Sequence, residues 1–155
     1  MKILLPVDGS PDSMHALQHA LRLVQEGLKA EFVLVNVQEP ASLYEVMTAR
    51  DADVIEQVRS AAGADLLASA QALLQQAGVP WESEVAGGDP ARVLVEMIQD
   101  HGCDAVIMGT HGAGSLRSAL VGSVSGAVLQ HSPVPVTVVR VPAAAEPEEA
   151  AEDAG

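Results

Sequence analysis

Ala105-Val-Ile-Met-Gly-Thr-His-Gly112, then nine residues, then Gly122-Ser-Val-Ser125 is the stretch that decides the fold. The apolar run Ala105-Val-Ile-Met108 reads as a buried strand, and Val124 to His131 reads as the body of a helix. Between them lies a glycine-punctuated turn. A strand, a glycine-rich turn and a helix in that order is where α/β proteins bind phosphates. Glycine has no Cβ, so backbone can approach an anion closely there. The N–H groups of the helix's first turn have no partner within the helix and point toward that anion.

The pattern repeats in both directions along the chain. Lys2 to Val7 is an apolar strand ended by the turn residues Asp8-Gly9-Ser10-Pro11, with Asp12 or Ser13 expected to cap the helix that follows. Met14, Leu17, Ala20, Leu21 and Val24 recur at helical spacing, and Gly27 closes that helix. Glu31 to Val37 is a second strand. Gln38 to Arg50 has no clean period and reads as a loop, in which Tyr44 and Met47 are candidates to cover a ligand. Asp51 to Ala77 is a long helix and Trp81 to Ala86 a third strand. Asp89 as N-cap and Pro90 in first helical position start a helix running to about Gln99. Asp104 to Gly109 and Val136 to Val141 are the fourth and fifth strands. Strands alternating with helices predict an α/β domain over residues 1–141, with a mainly parallel sheet covered by helices on both faces. A ligand crevice is then expected at the carboxyl ends of the strands. Residues 142–155, built from Ala, Glu, Asp, Pro and Gly, lack the apolar surface to offset their ordering entropy and are expected to form a disordered tail.

Composition narrows the function. Of the 155 residues 48% are hydrophobic but only 2% aromatic, so the core must come from Val, Leu, Ile, Ala and Met, as suits strands buried on both faces. The formal net charge of −13 argues against sequence-independent binding of nucleic acid or of an anionic membrane. An anionic ligand must therefore be held by backbone N–H groups or through a metal, not by a basic patch. The single cysteine, Cys103, excludes an intramolecular disulfide and reads as a small core residue. The chain opens directly into a strand pattern, with no leader-like segment and no run of about 18 apolar residues. A cytoplasmic location is the expectation.

Three segments carry a family resemblance: Ile3-Leu-Leu-Pro-Val-Asp-Gly-Ser10, Asp104-Ala-Val-Ile-Met-Gly-Thr-His-Gly112 with Val121-Gly-Ser-Val-Ser125, and His131-Ser-Pro-Val-Pro-Val-Thr-Val-Val139. In this order, and with the glycine spacing G-x2-G-x9-G-[ST], the chain resembles the nucleotide-binding universal stress proteins from Met1 to about Val141. The resemblance implies a Rossmann-like fold of the adenine nucleotide alpha hydrolase type, five parallel strands in the order 3-2-1-4-5. It also implies binding of ATP or a related adenine nucleotide (AMP, ADP or a cyclic nucleotide); because a helix start alone holds an anion weakly, a triphosphate is expected to need Mg²⁺ or several backbone contacts together. Carried onto this sequence, Asp8 faces the adenosine and Val37, or the adjacent Asn36, offers backbone groups to adenine. Gly109 and Gly112 cradle ribose and phosphates, His111 donates to a phosphate, and Gly122, Ser123 and Val124 close on the phosphates from the helix start. Pro6 and Met108, at the ends of the first and fourth strands, complete the implied set. The resemblance further implies a homodimer paired through the last strand, residues 136–140, acting as a stress-response sensor or adaptor for a partner protein that the sequence does not name. One departure stands out. The position after the second glycine, commonly basic in nucleotide-binding relatives, is Ala113, and Arg117 is the nearest basic residue.

No catalytic or metal set is expected. The loop is not a Walker A motif, since no Lys follows Gly112 or Gly114 at the required place. His15 and His19 stand four apart but lack a third ligand. Ser10, Ser115 and Ser125 read as turn or cap residues. Two other readings stay open: a slow ATP hydrolase with His111 as the candidate base in the loop, and a structural or signalling dimer that binds no nucleotide.

Overall fold

The computed structural model describes residues 1–39, 52–110 and 121–141. Along the chain run β1 (Lys2–Pro6), α1 (Pro11–Gln25), β2 (Glu31–Gln38), α2 (Ala52–Ala77), β3 (Trp81–Gly87), α3 (Pro90–Asp100), β4 (Ala105–Gly109), α4 (Ser123–His131) and β5 (Val136–Val139). The strands form one sheet in the order 3-2-1-4-5, and every pairing is parallel. The fold is the Rossmann-like one that the sequence led us to expect. Of the loop expected over Gln38 to Arg50, Gln38 instead ends β2, and residues 40–50, with Tyr44 and Met47, lie outside the described residues, as do residues 111–120 and the tail at 142–155.

Strand alternation sorts the core into two layers. Ile3, Leu5, Phe32, Leu34 and Ile107 face α1 and α2, meeting Leu17, Ala20, Leu67 and Leu74. Leu4, Val33, Val35, Val106 and Met108 face α3 and α4, meeting Leu94, Met97, Ile98 and Val128. Each such large side chain, fully buried, contributes about 1.5–3 kcal/mol. Cys103 belongs to the second layer, and burial pushes its thiol pKa up, consistent with a packing role. Among the described residues no helix is long and apolar enough to cross a membrane.

Local chemistry adjusts some element ends. The cap of α1 is Ser10, not Asp12 or Ser13: its Oγ accepts from the Ser13 N–H at 3.2 Å, and Pro11 takes the first helical position. Pro11 lacks an N–H and has its φ preset, so it fixes the helix start one residue earlier than the acidic residue suggests. Asp89 caps α3 as expected, accepting from the Arg92 N–H at 3.1 Å. β5 stops at Val139 rather than Val141 because its partner runs out: the last paired residue of β4 is Gly109, opposite Val139.

A proline sets where the sheet opens. Residues of β1 alternate in the neighbour they bond: the Val7 N–H donates to Val35 of β2, whereas the Lys2 carbonyl accepts from Asp104 at the start of β4. Pro6 lies on the β4 side of that alternation and has no N–H to give. The β1–β2 register continues to Pro6–Val35, but the β1–β4 register covers only Ile3–Ala105 and Leu4–Val106. The carboxyl ends of β1 and β4, where the strand order reverses, are thus free to diverge.

Candidate functional site

At that divergence lies a cavity of about 260 Å³. Its walls come from six elements. The end of β1 supplies Pro6, Val7 and Asp8, followed by Ser10 and Ser13 of the α1 start. The end of β2 supplies Val35, Val37 and Glu39, and α3 closes over them with Pro90 and Leu94. From β4 come Met108, Gly109 and Thr110, and from the start of α4 Gly122, Ser123, Val124 and Ser125.

The turn after β1 is held by its own side chains. Asp8 Oδ1 accepts from the Ser10 N–H at 2.9 Å, an Asx-turn. Gly9 takes φ +81°, a conformation that favours glycine, and Leu66 of α2 lies over it, its Cδ2 2.6 Å from where a Cβ would stand.

Thr110 ties the β4 end to three other elements. Its N–H donates to the Val139 carbonyl at 3.1 Å and its hydroxyl to Asp12 Oδ2 at 2.7 Å. Its carbonyl accepts from the Gly122 N–H at 2.7 Å and from Ser125 Oγ at 2.8 Å. Gly109 beside it is required by packing: a Cβ there would fall 2.7 Å from the Asp12 carbonyl carbon, so the first turn of α1 rests directly on this glycine.

The start of α4 differs chemically from the other two capped helix starts. Its N-cap is Gly122, which has no side chain to bond the first-turn N–H groups. Those donors belong to Ser123, Val124 and Ser125, all of which border the cavity. The cavity is therefore divided. Val35, Val37, Pro90, Leu94 and Met108 make an apolar side; Ser10, Ser13, Thr110, Ser123 and Ser125 bring hydroxyls to a polar side that includes the α4 N-terminus. Asp8 and Glu39 are acidic, and no basic residue lines the cavity among the described residues. The hydroxyl protons of Ser13, Thr110 and Ser125 are already given to protein acceptors, so an anion held here would rest chiefly on the peptide N–H groups of the α4 start.

Of the residues singled out from sequence, Pro6, Asp8, Val37, Met108, Gly109, Gly122, Ser123 and Val124 converge on this one cavity. Asn36 is not among its lining residues: its side chain is buried on the α2 side of the sheet, with Nδ2 donating to the Val7 carbonyl at 2.8 Å. His111 and Gly112 lie outside the described residues. Sequence reasoning missed Pro90 and Leu94, because only the crossing of α3 over β2 brings them in. It also missed Thr110, although a hydroxyl residue between a strand-end glycine and the loop was a usable signal. Ser10 acts as a cap, as read from sequence; Ser125, read as a turn or cap residue, lies instead inside the first turn of α4, and both border the cavity.

A second concentration of charge sits elsewhere, at the carboxyl end of α3. His101 bridges two carboxylates of β3, Nδ1 to Glu82 at 3.2 Å and Nε2 to Glu84 at 2.6 Å. Lys2 Nζ also meets Glu82, at 3.1 Å. The Glu84 bond raises the His101 pKa, burial opposes that, and the Glu82 bond reinforces it. Among the described residues no group of three His, Cys, Asp or Glu could hold a metal ion.

Comparison with known proteins converges on one family. A profile of the Universal stress protein family matches residues 1–140. Universal stress protein MJ0531 of Methanocaldococcus jannaschii is 29% identical over 141 residues, covering 91% of this chain and 82% of its own length. Among solved structures, the hypothetical protein MJ0577 superposes with a TM-score of 0.79 at 26% identity, over 92% of this chain and 97% of that one. A universal stress protein in complex with cAMP superposes at TM-score 0.66 and 23% identity, over 90% and 96% of the two chains. A family protein from Arabidopsis thaliana with AMP bound does so at TM-score 0.66 and 20% identity, over 97% and 99%. At those last two identities the likeness is one of fold.

Proposed function

We propose that this chain, which belongs to the universal stress protein family, holds an adenine nucleotide in the crevice between β1, β4 and α4 and acts as a binding protein, a sensor or adaptor. The observation that carries the reading is the division of the crevice: an apolar side at Val35, Val37 and Leu94 beside a helix start whose N–H groups have no side-chain cap. A nucleotide has the same division, a flat base at one end and an anionic phosphate at the other. In this reading the base lies against Val37 and Leu94, the ribose near Asp8 and Gly109, and the phosphates at Gly122, Ser123 and Val124. Solved relatives carrying cAMP and AMP support it. ATP is the ligand the glycine spacing favours. Asp8 and Glu39 border the crevice, so a triphosphate would need a divalent cation such as Mg²⁺ to offset their charge.

The protein works, in this reading, as a cytoplasmic homodimer through β5. That strand is at the sheet's edge, and among the described residues it pairs with β4 alone. Unpaired edges of this kind recruit a second strand.

Calorimetry with AMP, ADP, ATP and cAMP, each with and without Mg²⁺, tests the reading. Asp8→Ala and a helix-start variant, Ser123→Asp, are expected to weaken whichever nucleotide binds. One observation favours a dimer that binds no nucleotide: Gly109 is already explained by its contact with Asp12, without any ligand. Absence of heat with all four nucleotides, together with a dimer in sedimentation, would favour that second reading.

A further inference from the structure

Asn36 is a buried amide, 2% exposed, on a sheet face where the β2 residues before it, Phe32 and Leu34, are core hydrocarbons. An amide in such a place costs free energy unless its groups are bonded. Here both ends are used: Nδ2 donates to the Val7 carbonyl at 2.8 Å, and Oδ1 accepts from Gln38 Nε2 at 2.5 Å. The Val7 N–H in turn donates to the Val35 carbonyl at 2.8 Å. Val7 lies past the end of β1, immediately before Asp8, and both of its backbone polar groups are therefore fixed to β2.

Helix α2 presses on this arrangement from behind. A Cβ on Gly63 would lie 2.9 Å from Asn36 Oδ1 and 2.5 Å from Val85 Cγ1, so the helix approaches as closely as glycine permits. One turn earlier, Arg59 Nη1 donates to the Glu39 carbonyl. One turn later, Leu66 covers Gly9. Spacings of four and three put Arg59, Gly63 and Leu66 on one stripe of the helix. Each bears on a strand end or turn that lines the crevice or adjoins a residue lining it.

We infer that Asn36 is a positioning residue for the crevice: from the opposite face of the sheet it fixes the Val7 carbonyl, and with it the path of the Val7-Asp8 backbone along the ligand site, while Gly63 lets α2 hold it there. The inference rests on the nucleotide reading above for its functional meaning. An apolar side chain at position 36 would leave the Val7 carbonyl without its partner and the turn free to shift. A carboxylate there would repel that carbonyl when ionised and bond to it when protonated.

The test compares AMP affinity of the wild type, Asn36→Leu and Asn36→Asp from pH 5 to pH 8, with ligand-free amide NMR spectra of each. Asn36→Leu is expected to raise Kd roughly three- to tenfold at every pH, the loss of about one buried hydrogen bond. Burial raises a carboxyl pKa, so Asn36→Asp should bind poorly at pH 8 and return toward the wild-type Kd as pH falls. A residue that merely stabilises the fold would not produce that recovery. The Asp8 and Gly9 amide resonances should move in ligand-free Asn36→Leu. A folded Asn36→Leu with wild-type Kd, a flat ratio for Asn36→Asp and unmoved Asp8 and Gly9 resonances overturn the inference. If the wild type binds none of AMP, ADP, ATP and cAMP, the nucleotide reading falls, and the ligand-free resonances alone decide whether Asn36 positions the turn.

Discussion

The Gly122 N–H donates to the Thr110 carbonyl at 2.7 Å, so the chain that leaves the sheet after β4 returns to the same point before entering α4. Ser125 Oγ adds a second bond to that carbonyl at 2.8 Å, and its hydroxyl is buried. The closure sets the uncapped helix start beside the strand end. Ser125→Ala removes one of the two bonds, and a loss of about 1 kcal/mol in urea unfolding is expected.

Gly109 and Gly126 should respond oppositely to the same change. Gly109→Ala drives a Cβ to 2.7 Å from the Asp12 backbone, and overpacking of this kind costs about 1–3 kcal/mol. Gly126 lies inside α4, and among the described residues a Cβ there would meet only Val121 Cγ1, at 3.9 Å. Gly126→Ala should therefore stabilise by roughly 0.5–1 kcal/mol through helix propensity. Thermal unfolding of the two variants checks the opposite signs.

Folding stability should depend on pH through His101. Its folded-state pKa is raised above the usual 6.5, chiefly by the Glu84 bond. A raised pKa contributes stability that is fully present below the unfolded value and is lost as pH rises through the folded value. Glu82 runs the other way: Lys2 first and His101 second lower its pKa below the usual 4.5, and its contribution is lost as pH falls through that lowered value. Both contributions coexist most fully between about 4.5 and 6.5. Urea titrations of wild type and His101→Gln across pH 4 to 9 should show the difference shrinking above that window. A constant difference would show that the ion pairs carry none of it.

The β5 edge makes a directional prediction about assembly. Val139 and Pro135 direct their carbonyls to β4, so by strand alternation Val136 and Val138 direct their polar groups to the open side. Val138→Pro removes an outward donor and should weaken a β5-mediated dimer while sparing the β4 ladder. Thr137→Pro removes an inward one and should lower thermal stability. Sedimentation velocity against concentration, beside a melting curve for each variant, separates the two effects.

Much of the fold was legible because buried parallel strands write themselves as short apolar runs. Phe32 to Val35 and Ala105 to Met108 are examples, and both emerge as sheet interior. The strand order came from the family resemblance, since periodicity carries no information about neighbours. The first helix cap was less legible, because Ser10-Pro-Asp-Ser13 offers three capping side chains and only the proline's position decides among them. Eight of the site residues lie at strand ends or helix starts, places a sequence marks with glycine, proline and aspartate. Leu94 carries no such mark, and Gly63 stands in mid-helix, away from any element end. Leu94 is one of several apolar residues on α3, and Gly63 sits in an Ala-rich helix; what makes each matter is the element it meets across space.

The most direct test of the central claim is a two-dimensional amide NMR titration of the protein with AMP and with ATP–Mg²⁺. The account predicts shifts at both ends of the crevice, at Val37 and Leu94 on the apolar side and at Gly109 and Gly122 through Ser125 on the polar side. Saturable shifts confined to other surfaces, or none at millimolar nucleotide, would contradict it.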